Sequence, residues 1–318
     1  MIVSFLQMTI AMSAVYLFGC VGEILIEKSG NLNLGIPGIM GLGALGGCLG
    51  VYMYNSCFHG KQIWILLILF SVLFSCIFSA LGGFIYSFFT VTLKSNQNVT
   101  GLILTTFGVG VMKFIGHKIP IEVLASYKNL FRATFIPYQK LGWFGQIFLS
   151  YGIFVFLAFI FAIILGIVLS KTKLGLFIRA VGESPATADA QGINVNKCKY
   201  LCILIGSMIS GLGGLYYVCD FSGGLTFVNS QIDAFGWLSL ALVIFSIWKP
   251  QIGIIGSIVF GGLTILPSFL SVNIFQIKLF AILPYLFTII VLILSSIIGK
   301  KNVQPPSSLG INYYREDR

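Results

Sequence analysis

Side-chain amides and hydroxyls gather at two points of a chain that is otherwise strongly apolar. Groups of this kind exchange hydrogen bonds with a neutral polar solute without gripping it through charge. We predict that they line a pathway for such a solute. Helix capping near a membrane surface is the alternative interpretation, and it stays open for Asn31 and Asn33. The residues are Asn31, Asn33, Asn96, Gln97, Thr105 and Thr106.

A polar stretch at residues 171–199 separates two apolar runs and carries the signals of a short helix. Ser184 can cap a helix, Pro185 suits its first position, and Gly192 can end it. Two turns are too few for a helix to be stable alone. We therefore predict that a helix at 184–191 docks into a partner and couples to it. The residues that we expect to serve this coupling are Arg179, Gly182, Glu183, Ser184, Pro185, Ala188 and Gly192.

Residues for covalent or phosphate chemistry form no recognisable site in this sequence. His59 and His117 are isolated, and no lysine stands in a glycine-rich phosphate-binding loop. The seven cysteines lie mostly in apolar runs without paired spacing, so we interpret them as small core residues. We expect no catalytic residue, no metal site and no cofactor in this chain.

Composition decides the class of protein. The chain is 57% hydrophobic and 9% charged, with a mean hydropathy of +0.99. A charge at the centre of a bilayer costs about 2.5–3.5 kcal/mol, which explains why charges are so sparse here. The sequence therefore predicts an all-α, polytopic integral membrane protein with one domain over 1–318.

We predict about nine transmembrane helices, because an apolar run of about 20 residues spans a bilayer. Two of them follow interrupted segments, at 31–38 and 222–226, and run in opposite directions. Irregular backbone at membrane depth is tolerated only inside protein or beside a wet cavity, and such pairs are typical of inverted-repeat transporters. The predicted spans are 2–22, 34–54, 63–92, 99–116, 148–170, 199–219, 236–249, 251–270 and 276–299.

Glycine and serine recur at intervals of four within the predicted spans. Gly43 with Gly47, and Ser207 with Gly211, are examples. Small residues at this spacing let the backbones of membrane helices approach closely. We therefore predict helix contacts at these positions.

The net charge of +10 is distributed unevenly between the predicted loops. Cytoplasmic loops are enriched in Lys and Arg, so we place 171–199 and the tail 300–318 in the cytoplasm and interpret the charge as topology, with no nucleic-acid partner. The basic residues inside would be Lys28, Lys94, Lys171, Lys173, Arg179, Lys197, Lys199, Lys249, Lys300, Lys301, Arg315 and Arg318. Those outside would be Lys61, Lys118, Lys128, Arg132 and Lys140.

The stretch from Arg179 through Gly182, Glu183 and Pro185 to Gly192 resembles the cytoplasmic motif of importer permeases of ATP-binding-cassette (ABC) transporters. This superfamily carries branched-chain amino acids, sugars and nucleosides. Residues 27–38, 94–101, 236–250 and 309–316 are similar to the nucleoside branch. The sequence departs from the pattern at Pro37, where that branch has Glu, and at Ser184, where the superfamily has Asn.

The resemblance implies the permease subunit of a nucleoside importer in the cytoplasmic membrane. It implies four kinds of contact: a second similar permease in a homo- or heterodimer, a cytoplasmic ABC ATPase, an extracytoplasmic substrate-binding lipoprotein and membrane lipid. ATP would be bound by the ATPase, so this chain would not be an enzyme.

Three alternatives remain from the sequence. A sugar or branched-chain amino acid permease of the same superfamily would share the coupling motif. A secondary transporter would need no docking helix and should show charged residues in mid-span, where only Lys113 and Lys278 come close. A structural membrane scaffold would not need the amides clustered at 96–98.

The orientation is testable by single-cysteine labelling in a cysteine-free background. A membrane-impermeant thiol reagent should label position 128 in intact cells and should reach position 183 only after permeabilisation. Labelling of position 183 but not 128 in intact cells would reverse the topology.

Overall fold

Helices form every regular element in the part of the chain that the structure describes. The computed structural model describes residues 1–58, 61–134, 141–224, 231–270, 279–280, 282–298 and 304–314, and no strand occurs within these ranges. The helices are α1 (Ile2–Lys28), α2 (Ile36–Phe58), α3 (Trp64–Ser87), α4 (Gln97–Gly116), α5 (Ile121–Ser126), α6 (Lys128–Phe131), α7 (Gly142–Phe148), α8 (Ile153–Lys171), α9 (Lys173–Glu183), α10 (Pro185–Ala190), α11 (Val195–Leu215), α12 (Ile232–Phe245), α13 (Pro250–Ile265) and α14 (Leu283–Ile298).

Seven helices within the described ranges are long and apolar enough to cross a membrane: α1, α2, α3, α4, α8, α11 and α13. They overlap seven of the predicted spans, so the polytopic all-α class is confirmed. The other two predictions, 236–249 and 276–299, correspond to the shorter helices α12 and α14. Residues 276–278, 281 and 299 of the last predicted span lie outside the described part of the chain.

The prediction for the first span stops too early. α1 continues to Lys28, and its last turns contain the buried residues Glu23 and Glu27. The helix packs against α8, α11, α12 and α13, so protein surrounds it. A charge ends an apolar run in the sequence, but it does not end a helix whose carboxyl groups find partners inside the protein.

Glycines bring α2 and α11 into direct backbone contact. A Cβ atom on Gly43 would lie 2.3 Å from the Cα of Gly211, and one on Gly214 would lie 2.0 Å from the carbonyl oxygen of Met40. No residue with a Cβ atom fits at such distances. The predicted helix contact through Gly43 and Gly211 is therefore confirmed, and it gives the two helices the close packing that stabilises membrane bundles.

The connection between α12 and α13 has an unusual backbone. Ile247 and Trp248 adopt φ angles of 53° and 51°, in the left-handed region that a β-branched residue such as Ile247 rarely enters. This break limits α12 to 14 residues. Gly236 in α12 packs so closely on α2 that its Cβ would lie 2.4 Å from the Cα of Pro37. Helix α12, in the second half of the sequence, thus contacts the first turn of α2.

Segments that carry predicted outer residues meet at one end of the bundle, while Lys140 lies outside the described residues. Arg132 Nε donates to the carbonyl of Asp220 at 2.8 Å and lies 3.8 Å from its carboxylate. At the same end, Tyr127 donates to the side chain of Asn55. The predicted cytoplasmic segments meet at the other end, as described below. Which end faces the cytoplasm stays a prediction.

Glycine packing gives a testable difference within one chain. Gly43→Ala should lower the free energy of unfolding by about 1–3 kcal/mol, because the methyl group forces α2 and α11 apart. Gly110→Ala is the matched control: this helical glycine has open space around its Cβ position, so alanine should be neutral or stabilising. Thermal denaturation in detergent checks both, and equal effects would refute the close contact.

Candidate functional site: the pathway loop and the coupling helix

Residues 29–35, called the pathway loop below, connect α1 to α2. The backbone nitrogens of Ser29 and Gly30 donate to carbonyls of α1, and side chains from α3 and α4 bind further main-chain groups of the loop. The bonds are Leu32 N to Gln97 Oε1 (2.8 Å), Tyr86 OH to Leu32 O (2.7 Å) and Thr105 Oγ1 to Leu34 O (2.8 Å). The loop is therefore held in one conformation by groups that the sequence places far from it.

Asn31 and Asn33 are buried within the same loop. The amide of Asn31 donates to Ser29 Oγ at 2.8 Å, and Asn33 Oδ1 accepts from the backbone nitrogen of Gly35 at 2.9 Å. Both side chains thus bind groups of their own loop: the Asn33 bond, beside the start of α2, is of the capping kind, whereas the Asn31 bond joins two side chains. Their contact with a solute stays a prediction.

The remaining predicted pathway residues divide into two groups. Gln97 and Thr105 are buried against the pathway loop. Asn96 is exposed and caps α4, accepting from the backbone nitrogen of Val99. Thr106 is exposed and donates to its own helix. The structure therefore brings Asn31, Asn33, Gln97 and Thr105 together and leaves Asn96 and Thr106 outside this cluster.

Two buried carboxyl groups beside the loop escaped the sequence analysis, which found charged side chains only near the ends of spans. Glu23 Oε1 accepts from the backbone nitrogen of Asn33 at 3.2 Å. Glu27 Oε2 accepts from the indole nitrogen of Trp248. Their spacing of four residues puts both on one face of α1. That spacing, inside an apolar stretch that continues past them, is the signal that could have found them.

One edge of this cluster is polar and unsatisfied. Glu23 Oε2 and Asn33 Nδ2 are fully buried, and neither has a hydrogen-bond partner among the described residues. A buried polar atom without a partner costs about 1–3 kcal/mol, so such atoms call for an explanation. A water molecule or a polar solute at this edge of the pathway loop would supply the missing hydrogen-bond partners.

The predicted helix at 184–191 is confirmed as α10, called the coupling helix below. Ser184 Oγ accepts from the backbone nitrogen of Thr187, Pro185 occupies the first turn, and Gly192 follows with a φ of 82°. The three local signals in the sequence thus act as predicted. An amphipathic helix that was not predicted, α9, leads into the coupling helix.

The coupling helix folds back on its own chain. Ala188 is buried against Val181 of α9 and Val195 of α11. Thr187 and Ala190 lie on its exposed side. Ala188 therefore packs the helix against its own chain, and the docking of a partner on this helix stays a prediction.

The base of the coupling segment packs against the end of α1. A Cβ on Gly182 would lie 2.3 Å from the carbonyl oxygen of Lys28, so only glycine fits there. Arg179 is exposed and donates within its own helix, to the carbonyl of Gly175. Glu183 accepts hydrogen bonds from Ser307 in the C-terminal tail. Glu183 thus ties the base of this segment to the tail.

Comparison with known proteins agrees with this arrangement. The model of the family described as "Branched-chain amino acid transport system / permease component" matches residues 5–295. The nucleoside ABC transporter permease protein NupC of Lactococcus lactis subsp. cremoris is 31% identical over 328 residues, which cover 99% of each chain. Both matches include the pathway loop and the coupling helix.

Two further relatives show the range of transported solutes. The guanosine ABC transporter permease protein NupQ of Bacillus subtilis is 30% identical and covers 98% of this chain and 96% of its own. The putative glucose ABC transporter permease protein TsgC13 of Haloferax volcanii is 31% identical and covers 80% of this chain and 74% of its own. The chain therefore belongs to the branched-chain amino acid transport system permease component family and is a multi-pass ABC transporter permease of the cell membrane.

Proposed function

We propose that this permease carries nucleosides into the cell as a subunit of an ABC importer. The observation that carries the proposal is the similarity over nearly the whole length to two permeases named for nucleoside and guanosine transport. A sugar is the second candidate, because the putative glucose permease is as similar over a shorter stretch.

The chemistry of the pathway loop supports a neutral polar substrate. A nucleoside carries no charge, and its ribose and base offer several hydrogen-bond donors and acceptors. The loop is surrounded by amides and hydroxyls, and the unpaired atoms Glu23 Oε2 and Asn33 Nδ2 could accept or donate such bonds. A zwitterionic amino acid would instead favour a pair of opposite charges, and Glu23 and Glu27 supply only acidic groups.

The proposed complex contains further subunits. A permease described as one component of a transport system needs partners, and we propose a second similar permease, a cytoplasmic ABC ATPase and an extracytoplasmic binding lipoprotein. ATP would be bound by the ATPase alone, so this chain would form the transport pathway without binding a cofactor of its own.

The coupling helix is the proposed contact with the ATPase. Its exposed side, with Thr187 and Ala190, would sit in a groove of the ATPase surface. Closure of the ATPases around ATP would move this groove, and the membrane helices would rock as rigid bodies to open the pathway to the other side. Arg179 and Glu183 flank the contact at its base.

Gly192 tests the coupling role. Valine there should reduce nucleoside uptake strongly, because a β-branched residue disfavours the left-handed conformation that ends the coupling helix. No atom lies within 4 Å of the Cβ position, so the effect would come from the backbone and not from a clash. Uptake and ATP hydrolysis by the complete complex in liposomes provide the measurement.

Gly192→Asn is the matched control, since asparagine tolerates the left-handed region. It should retain most of the uptake. Equal uptake by the valine variant, the asparagine variant and the unmodified complex would show that this helix does not couple transport to ATP hydrolysis.

The substrate is tested with labelled nucleosides, ribose and leucine in the same reconstituted complex. We expect uptake of nucleosides, reduced by Gln97→Leu because the variant loses its bond to Leu32 and frees the pathway loop. Asn98→Leu, an exposed position in the same turn, is the control and should behave as wild type. Asn96→Leu should reduce uptake as well if this cap belongs to the pathway.

The outcome that contradicts the nucleoside proposal is specific. Uptake of ribose or leucine, without uptake of any nucleoside, would assign the chain to another substrate class of the same family. Copurification of the ATPase with each variant shows whether reduced uptake reflects transport and not assembly.

A further inference from the structure

We propose that the C-terminal segment 304–314, called the tail strap below, transmits movement from the coupling helix to the pathway loop. Asn312 and Tyr313 would be its positioning residues. The inference rests on the proposed role of α10 as the coupling helix, but not on the identity of the substrate.

The first half of the tail strap is bound to the end of α9. The backbone nitrogen and hydroxyl of Ser307 both donate to Glu183 Oε2, at 3.2 and 2.7 Å. The backbone nitrogen of Ser308 donates to the carbonyl of Gly182 at 3.0 Å, and its hydroxyl does so at 2.5 Å. Ser308 is itself buried. The strap is thus fixed to the residues that lead directly into the coupling helix.

Tyr313 fixes the strap to the coupling helix itself. Its hydroxyl donates to Asp189 Oδ2 at 2.9 Å, and its ring packs on the small cluster formed by Val181, Ala188 and Val195. Any displacement of α10 therefore acts on Tyr313 through both a hydrogen bond and a packing contact.

The next residues bind the pathway loop and the start of α4. The backbone nitrogen of Gly310 donates to the carbonyl of Gly30 at 3.3 Å. The amide of Asn312 donates to the carbonyls of Lys94 and Ser95, at 2.6 and 3.1 Å. The ammonium group of Lys94 lies 4.0 Å from the ring centre of Tyr314, which adds a cation–π contact.

Gln97 completes a continuous path of contacts. Its Nε2 donates to Asn312 Oδ1 at 3.0 Å, while its Oε1 accepts from the backbone nitrogen of Leu32 at 2.8 Å. The path runs from Asp189 through Tyr313, Asn312 and Gln97 to the pathway loop. Tyr313 therefore binds the coupling helix, and its neighbour Asn312 binds the Gln97 side chain that in turn binds the pathway loop.

The tail strap adds to a direct contact between the segment that leads into the coupling helix and the end of α1. Gly182 touches Lys28 at the end of α1, but this contact involves the end of α9 and not α10. Within the described residues, α10 itself packs chiefly on α9 and α11. The tail strap supplies α10 with a polar connection to the loop and to α4.

The test separates coupling from folding by measuring nucleoside uptake and ATP hydrolysis on the same liposomes. Tyr313→Phe removes only the bond to Asp189 and keeps the packed ring. Asn312→Ala removes the bonds to Lys94, Ser95 and Gln97. We expect each variant to hydrolyse ATP near the wild-type rate while uptake per ATP falls about fivefold or more, the usual lower limit of coupling between sites.

Ile311→Ala is the matched control, because its side chain is 60% exposed within the same segment. It should keep the wild-type ratio of uptake to hydrolysis. The double variant Tyr313→Phe with Asn312→Ala should lose little more than the stronger single variant, since serial contacts on one path are not additive.

Two results would overturn the proposal. One is a wild-type ratio of uptake to hydrolysis in both single variants. The other is a parallel loss of uptake, hydrolysis and copurifying ATPase, which would make the strap a folding element only. If wild-type liposomes import a solute other than a nucleoside, the ratio is measured with that solute, so the substrate proposal fails separately from this one.

Discussion

The cost of leaving backbone groups unpaired inside a membrane protein governs the arrangement of this chain. Seven residues between α1 and α2 are not helical, yet protein encloses them, so side chains from other helices must bind their amides and carbonyls. Gln97, Tyr86 and Thr105 do so. This requirement places α3 and α4 beside the pathway loop, and the C-terminal tail binds the same loop through Gly310.

Local signals made the coupling helix predictable, whereas distant partners were not. Ser184, Pro185 and Gly192 act within a single turn of their own positions, and each behaves as the sequence indicates. The amide of Gln97 was predicted to line the pathway, but its hydrogen-bond partners, 65 and 215 positions away, were not. Only the packing of the helices decides which backbone group such an amide meets.

The charged residues of α1 show a related limit. A hydropathy window along the sequence treats Glu23 as the end of an apolar run, because it assigns the residue the free-energy cost of a charge surrounded by lipid. The structure surrounds it with protein and gives one of its oxygens a backbone donor. Span boundaries are thus predictable for helices that face lipid and unreliable for a helix in the centre of the bundle, where hydropathy no longer measures the environment.

The contact between Gly43 and Gly211 has a consequence for the moving parts of the protein. Two backbones that touch leave no side chains that could swing aside as the helices separate. A narrow gap between them would admit neither water nor an acyl chain, so its walls would lose dispersion contacts without compensation. We therefore expect α2 and α11 to move as one rigid unit, so that any change of shape in the bundle has to occur at other contacts.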